Sequence, residues 1–118
     1  MVGTSKALVT VLTAFFNVQK KDEEWVFQKY EGNIRSAPSG VVFYLINTCL
    51  IPHLGVERTL WKWVSEFPDK VVVFNNLTKE GFITSHGEAL DYLVQNFVHT
   101  PYILVMDYDT EIVAPTAF

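Results

Sequence analysis

The stretch from Val41 to Phe74, VVFYLINTCLIPHLGVERTLWKWVSEFPDKVVVF, contains the fold in small. It opens on VVFYLI and closes on VVVF, two runs that are apolar at every position. A strand with one face in water alternates apolar with polar, whereas a strand covered on both faces does not. Between the runs, Val56, Leu60, Trp63, Val64 and Phe67 fall at offsets 0, 4, 7, 8 and 11, the stripe of an amphipathic helix. Pro68 ends it, because proline cannot continue the backbone hydrogen bonding. A strand, a helix and a strand at this spacing form a βαβ unit, so the two strands run parallel with a right-handed crossover.

Reading outward, the same alternation continues. Leu8 to Phe16 (LVTVLTAFF) and Tyr102 to Met106 (YILVM) are two further apolar runs. In EEWVFQKYEGNI, Trp25, Val26, Tyr30 and Ile34 lie near one helical face. Ala89, Leu90, Leu93, Val94 and Phe97 form a third stripe, preceded by Ser85 and Glu88 at the spacing of a capping box. The order βαβαβαβ predicts one α/β domain over residues 1–118, a Rossmann-like three-layer αβα sandwich on a mainly parallel sheet. Each strand is expected to be buried on both faces. Ligands of such sheets bind beyond the carboxyl ends of the strands, where the strand order reverses.

Composition narrows the partners. The net charge is −4 and there is no basic run, which argues against a nucleic-acid surface. The single cysteine, Cys49, allows no disulfide within the chain and no zinc cluster, and reads as a small buried hydrophobe. No apolar run approaches the ~20 residues of a membrane-spanning helix, and the N-terminal stretch MVGTSKALVTVLTAFF lacks a signal-peptide cleavage pattern. The expected location is the cytoplasm, with any membrane association supplied by parts beyond this chain.

Two carboxylates, Asp107 and Asp109, follow the YILVM run directly. Inside the sheet they would carry a large desolvation cost. In extended backbone residues i and i+2 point to one side, so the pair repels itself unless a cation sits between. Hard oxygen donors suit Mg²⁺ or Mn²⁺ and leave most of an octahedral shell for water and phosphate oxygens. The plain alternative is that both acids are turn residues after a strand.

These residues carry a resemblance. VTVLTAFFN (Val9 to Asn17) resembles the opening strand of family-2-type glycosyltransferases of the GT-A fold. GFITSHGEALDYLV and GEALDYLVQNFVHTPYILVMDYDTEI (Gly87 to Ile112) resemble the glycine-containing entry, the helix, the fourth strand and the Asp-x-Asp motif of that family. The likeness covers nearly the whole chain as a pattern and is specific only toward its C-terminal end. It implies a nucleotide-sugar-binding half with strand order 3-2-1-4. It also implies a UDP- or GDP-sugar donor and transfer to a hydroxyl of a sugar, glycoprotein or glycolipid acceptor. Asp107 matches the first motif acid, near ribose and metal; Asp109 matches the direct ligand of Mn²⁺ or Mg²⁺. Tyr108 between them, with Ala14, Phe15, Phe16, Asn17 and Asn47, would flank the nucleoside.

The sequence departs from the family in two places. Pro-Thr-Tyr-Asn usually ends the first strand, and here Ala14-Phe15-Phe16-Asn17 stands there. Phe15 or Phe16 offers a ring for a base, or equally for the core. Asn47 replaces the usual base-contacting aspartate and donates as well as accepts. His86, in the first turn of the third helix, is placed to hydrogen-bond a diphosphate or sugar, or else is an exposed neighbour of the cap. His53 and His99 share no ligand spacing and read as solvent-facing, as do Lys79 and Glu80.

An inverting transferase also needs a base for the acceptor hydroxyl. After the motif the only acid is Glu111, so no base is assigned and an acceptor-binding half is expected outside this chain. Its absence predicts exposed apolar surface and a tendency toward homo-oligomers. Two other readings compete. One is a non-catalytic nucleotide-sugar-binding module. The other is a haloacid-dehalogenase-type phosphatase, which wants Thr or Val where Glu111 stands.

Overall fold

A computed structural model describes residues 7–15, 18–47, 54–74, 77–78, 81–82 and 86–112. In chain order the elements are β1 (Val9–Phe15), a 3-10 turn (Lys20–Asp22), α1 (Glu23–Ser36), β2 (Val41–Asn47), α2 (Leu54–Glu66), β3 (Val71–Phe74), β4 (Leu77–Thr78), β5 (Gly81–Phe82), α3 (His86–Asn96) and β6 (Tyr102–Val105).

The main sheet has four strands in the order β3-β2-β1-β6, all parallel. Counting only these four, the order is 3-2-1-4. Val9 pairs with Val41 on one side and with Tyr102 on the other, and Phe15 pairs with Asn47. A short antiparallel pair, β4 with β5, joins Leu77 to Phe82 and Thr78 to Gly81. It brackets Lys79 and Glu80, which lie outside the described residues.

Both faces of the sheet are covered over β1, β2 and β3, as uninterrupted apolar strands require. On one face Val11, Phe15, Phe43, Leu45 and Val71 pack with Tyr30 and Ile34 of α1 and Val56, Leu60 and Trp63 of α2. On the other, Leu12, Ala14, Val42, Tyr44 and Ile46 pack with Ala89 and Leu93 of α3. Right-handed crossovers explain the split. The path β1-β2-β3 moves one way across the sheet and puts α1 and α2 on one face. The return to β6 moves the other way and puts α3 opposite.

The aromatic centre of the first face is Trp63, stacked on Tyr30 at 5.4 Å between ring centroids and edge-on to Phe27 at 6.1 Å. Its indole N–H donates to Glu31 at 2.9 Å, so the one polar atom of a buried ring has a partner. Lys70 closes the C-terminal end of α1, its ammonium donating to the carbonyls of Ile34 and Ala37 at 3.1 and 2.9 Å. Those carbonyls lie where a helix leaves acceptors unmatched. Gly40, before β2, has φ 92°, a conformation that favours glycine.

Two expectations need correction. Trp25 does not join the buried face of α1: that face is Val26, Tyr30, Asn33 and Ile34. Offsets of 4, 7 and 8 from residue 26 define the stripe, and Trp25 falls a hundred degrees or so off it. Its N–H instead donates to Asp22 at 3.0 Å, and Lys29 lies over its ring. The second correction is β6, which is exposed at every position rather than buried on both faces. As an edge strand it pairs only with β1 among the described residues. The helices lie over β1, β2 and β3.

Candidate functional site

All strands of the sheet end on one edge, at Phe15, Asn47, Phe74 and Val105. β2 lies to one side of β1 and β6 to the other, so the strand order reverses between β1 and β6. This is the position at which open parallel sheets leave a crevice for ligands. Asp107 to Asp109 lie on the chain that leaves β6 there.

The acidic pair does not continue the strand. The Thr110 N–H donates to the Asp107 carbonyl at 3.1 Å, closing a turn with Asp107 at its first position. The extended-backbone reasoning for residues i and i+2 therefore does not hold here, because β6 stops at Val105. Asp is favoured at the first position of such turns. The turn nevertheless presents both acids: Asp107 and Asp109 are exposed, while Tyr108 between them is drawn inward. The Tyr108 ring lies 6.0 Å from that of Phe15 and packs against the core. A half-buried ring thus stands between two carboxylates exposed to solvent at the carboxyl edge of the sheet.

Five hydrogen bonds, buried or partly buried, hold the chain around this turn. Before β6, Thr10 and Thr100 share a hydroxyl–hydroxyl bond of 2.7 Å. At its end, the Thr13 hydroxyl donates to the Met106 carbonyl at 2.8 Å and accepts from the Tyr30 hydroxyl. Beyond the turn, the Asn33 amide donates to the Thr110 carbonyl and accepts from the Ile112 N–H, each at 2.8 Å. Burial pushes the Tyr30 hydroxyl well above the ordinary phenol range, and the bond to Thr13 offsets only part of that.

The other expected residues divide. Asn47 stands at the carboxyl edge of β2, in register with Phe15 and partly exposed. Ala14 and Phe15 are fully buried. Ala14 faces α3, and Phe15 faces Tyr30, Trp63 and Tyr108. Their side chains are core, because strand alternation turns them into the two helical layers, and for Phe15 this is the packing alternative that the sequence left open. Phe16, Asn17, Ser85, Cys49 and His53 lie outside the described residues. His86 opens α3, in its first turn as expected, with its side chain outside what is described. His99 is exposed.

Thr13 leaves no signal in the sequence, and Tyr30 reads there only as part of the apolar stripe of α1. Asn33 occupies a stripe position of α1, where an amide among apolar neighbours must find partners on burial.

As a donor set, two exposed carboxylates fit part of a Mg²⁺ or Mn²⁺ shell, the remainder being open to water and diphosphate. Among the described residues no third histidine, cysteine, aspartate or glutamate joins them as a metal-binding group. No helix among the described residues is long and apolar enough to cross a membrane. Compared with protein-family models, with curated proteins and with solved structures, the chain gives no match.

Proposed function

We propose that the chain is the nucleotide-sugar-binding part of a metal-dependent glycosyltransferase. The observation that carries this reading is the turn Asp107-Tyr108-Asp109, leaving the carboxyl end of β6 beside β1 where the strand order reverses. Exposed carboxylates at that edge support a site for a nucleoside diphosphate with its cation. In this reading Asp109 holds Mn²⁺ or Mg²⁺ directly, and Asp107 lies toward ribose and metal. Asn47 reads the base with an amide that donates and accepts. A bound cation would neutralise charge on the departing diphosphate. The residues of this chain bind and orient the donor, and the reading assigns no base for the acceptor hydroxyl.

Calorimetry tests it. UDP or GDP should bind more tightly with Mn²⁺ than with a chelator, and Asp109→Ala should abolish the difference, with Asp107→Ala reducing it less. Equal affinity with metal and with chelator overturns the reading. A donor that binds but is never transferred, even with the acceptor-binding part supplied, would leave a binding module in its place.

A further inference from the structure

Among the described residues the buried polar side chains are Thr10, Thr13 and Asn33, and every one of them reaches across to the chain between Thr100 and Ile112. Within that segment the strand itself gains little from apolar burial, whereas Met106, Tyr108 and Ile112 pack on the core. Tyr102, Ile103, Leu104 and Val105 keep 67%, 44%, 38% and 53% of their surface exposed. Beside its pairing with β1 and those apolar anchors, the segment is held by polar side-chain contacts that are directional, unlike apolar ones.

From this we infer that Asn33 is a positioning residue for the acidic turn: its amide, fixed on α1, holds Thr110 and Ile112 so that Asp107 and Asp109 keep one disposition toward a bound cation. The geometry is specific to an amide. Asn33 gives Nδ2–H to the Thr110 carbonyl and takes the Ile112 N–H on Oδ1, as a neighbouring strand would. Aspartate has no donor for the first contact and leucine has neither. On the other side of the turn, Thr13 holds the Met106 carbonyl, and its own hydroxyl is oriented by Tyr30. The turn thus hangs between two fixed points, one residue before Asp107 and one residue after Asp109, with Tyr108 seated on Phe15 between them. Partners of metal-ligating side chains are commonly what aims them, and their loss weakens metal binding without touching the ligands.

The inference rests on the metal-binding reading above, and the test separates the two. The whole 118-residue chain is titrated with Mn²⁺ in saturating UDP, as wild type, Asn33→Ala and Thr13→Val, and amide hydrogen exchange is followed in each. Asn33→Ala should weaken Mn²⁺ binding about 10-fold or more. Exchange should quicken at residues 107–112 while β1, β2 and β3 stay protected. Thr13→Val should shift both in the same direction by a smaller factor. Wild type without Mn²⁺-dependent binding overturns the metal reading and this inference with it. Wild type that binds, beside an Asn33→Ala variant of equal affinity, overturns the inference alone. So does affinity lost only together with protection across β1 to β3, which marks a purely structural role. If Asn33→Ala does not fold, Thr13→Val decides, and unchanged Mn²⁺ affinity there overturns the inference.

Discussion

The rings of Phe15 and Tyr108 lie 6.0 Å apart at their centroids with an angle of 27° between their planes, joining the end of β1 to the middle of the acidic turn. Phe15 is itself wedged against Tyr30 and Trp63, so the turn is coupled to the largest aromatic cluster of the core. Tyr108→Ala removes that coupling. It should lower stability by ~1–3 kcal/mol, since a half-buried ring carries both apolar area and an aromatic contact. Urea denaturation measures it, and an unchanged midpoint would mean that the ring contributes nothing in solution.

Alkaline pH should destabilise the fold through Tyr30. Its hydroxyl titrates above the unfolded value of 10.0, chiefly because burial disfavours phenolate. Below the unfolded value the proton is bound in both states and stability is unaffected. Above it the unfolded chain releases the proton and the folded chain does not, so stability falls as pH rises. Tyr44, also raised by burial, adds in the same direction. Urea midpoints taken between about pH 9 and 11 should fall less steeply in Tyr30→Phe than in wild type. Parallel slopes would show that Tyr30 titrates normally.

Glu31 contributes to the acidic limb. Burial alone would raise its carboxyl, but the Trp63 N–H, Arg35 and Lys62 together outweigh that and hold it below the ordinary value. A depressed carboxyl stabilises the fold above its unfolded value, and that stabilisation is lost as pH falls through the folded one. The group is partly exposed, so solvent screening keeps the effect small. Glu31→Gln should therefore flatten the loss of thermal stability below about pH 4.5. A variant as acid-sensitive as wild type would place the sensitivity elsewhere.

Lys70→Met should cost ~1–2 kcal/mol, because it strips the charged donor from the carbonyls of Ile34 and Ala37. The alkyl stem is preserved by methionine, which confines the loss to the ammonium. Chemical denaturation reads the change, and a neutral result would mean that water serves those carbonyls as well.

How far sequence carried the reading depends on where each residue sits. The strands β1 to β3 were legible because both their faces are covered, and double coverage writes itself as an unbroken apolar run. β6 carries the same kind of run, YILVM, yet lies exposed at the edge. Local pattern records what a strand can bury, not which neighbours arrive to bury it. The order 3-2-1-4 came from resemblance rather than from periodicity. Asp107 and Asp109 are legible as a pair, but the choice between extended strand and turn stays open in the sequence, since that boundary is set by where pairing with β1 stops. Asn33 stayed hidden because its partners are backbone groups of Thr110 and Ile112, far along the chain. At the end of β1, alternation turns Phe15 into one helical layer and Ala14 into the other, a choice that a run of apolar letters leaves open.

The pairing of β1 with β6 has a consequence for the order in which the molecule assembles. Thr13 and Met106, bonded across those strands, are 93 residues apart in sequence, whereas β1, α1 and β2 are consecutive. Contacts between distant segments must repay loop-closure entropy before they gain anything, and so tend to form late. The acidic turn should therefore be the last part of the sheet edge to organise. Replacing Asn33 by alanine should speed unfolding and leave the folding rate nearly unchanged, a φ-value near zero, while Leu45→Ala, in the early βαβ layer, should slow folding. A high φ-value at Asn33 would show instead that the ends of the chain meet first and that the acidic turn nucleates the fold.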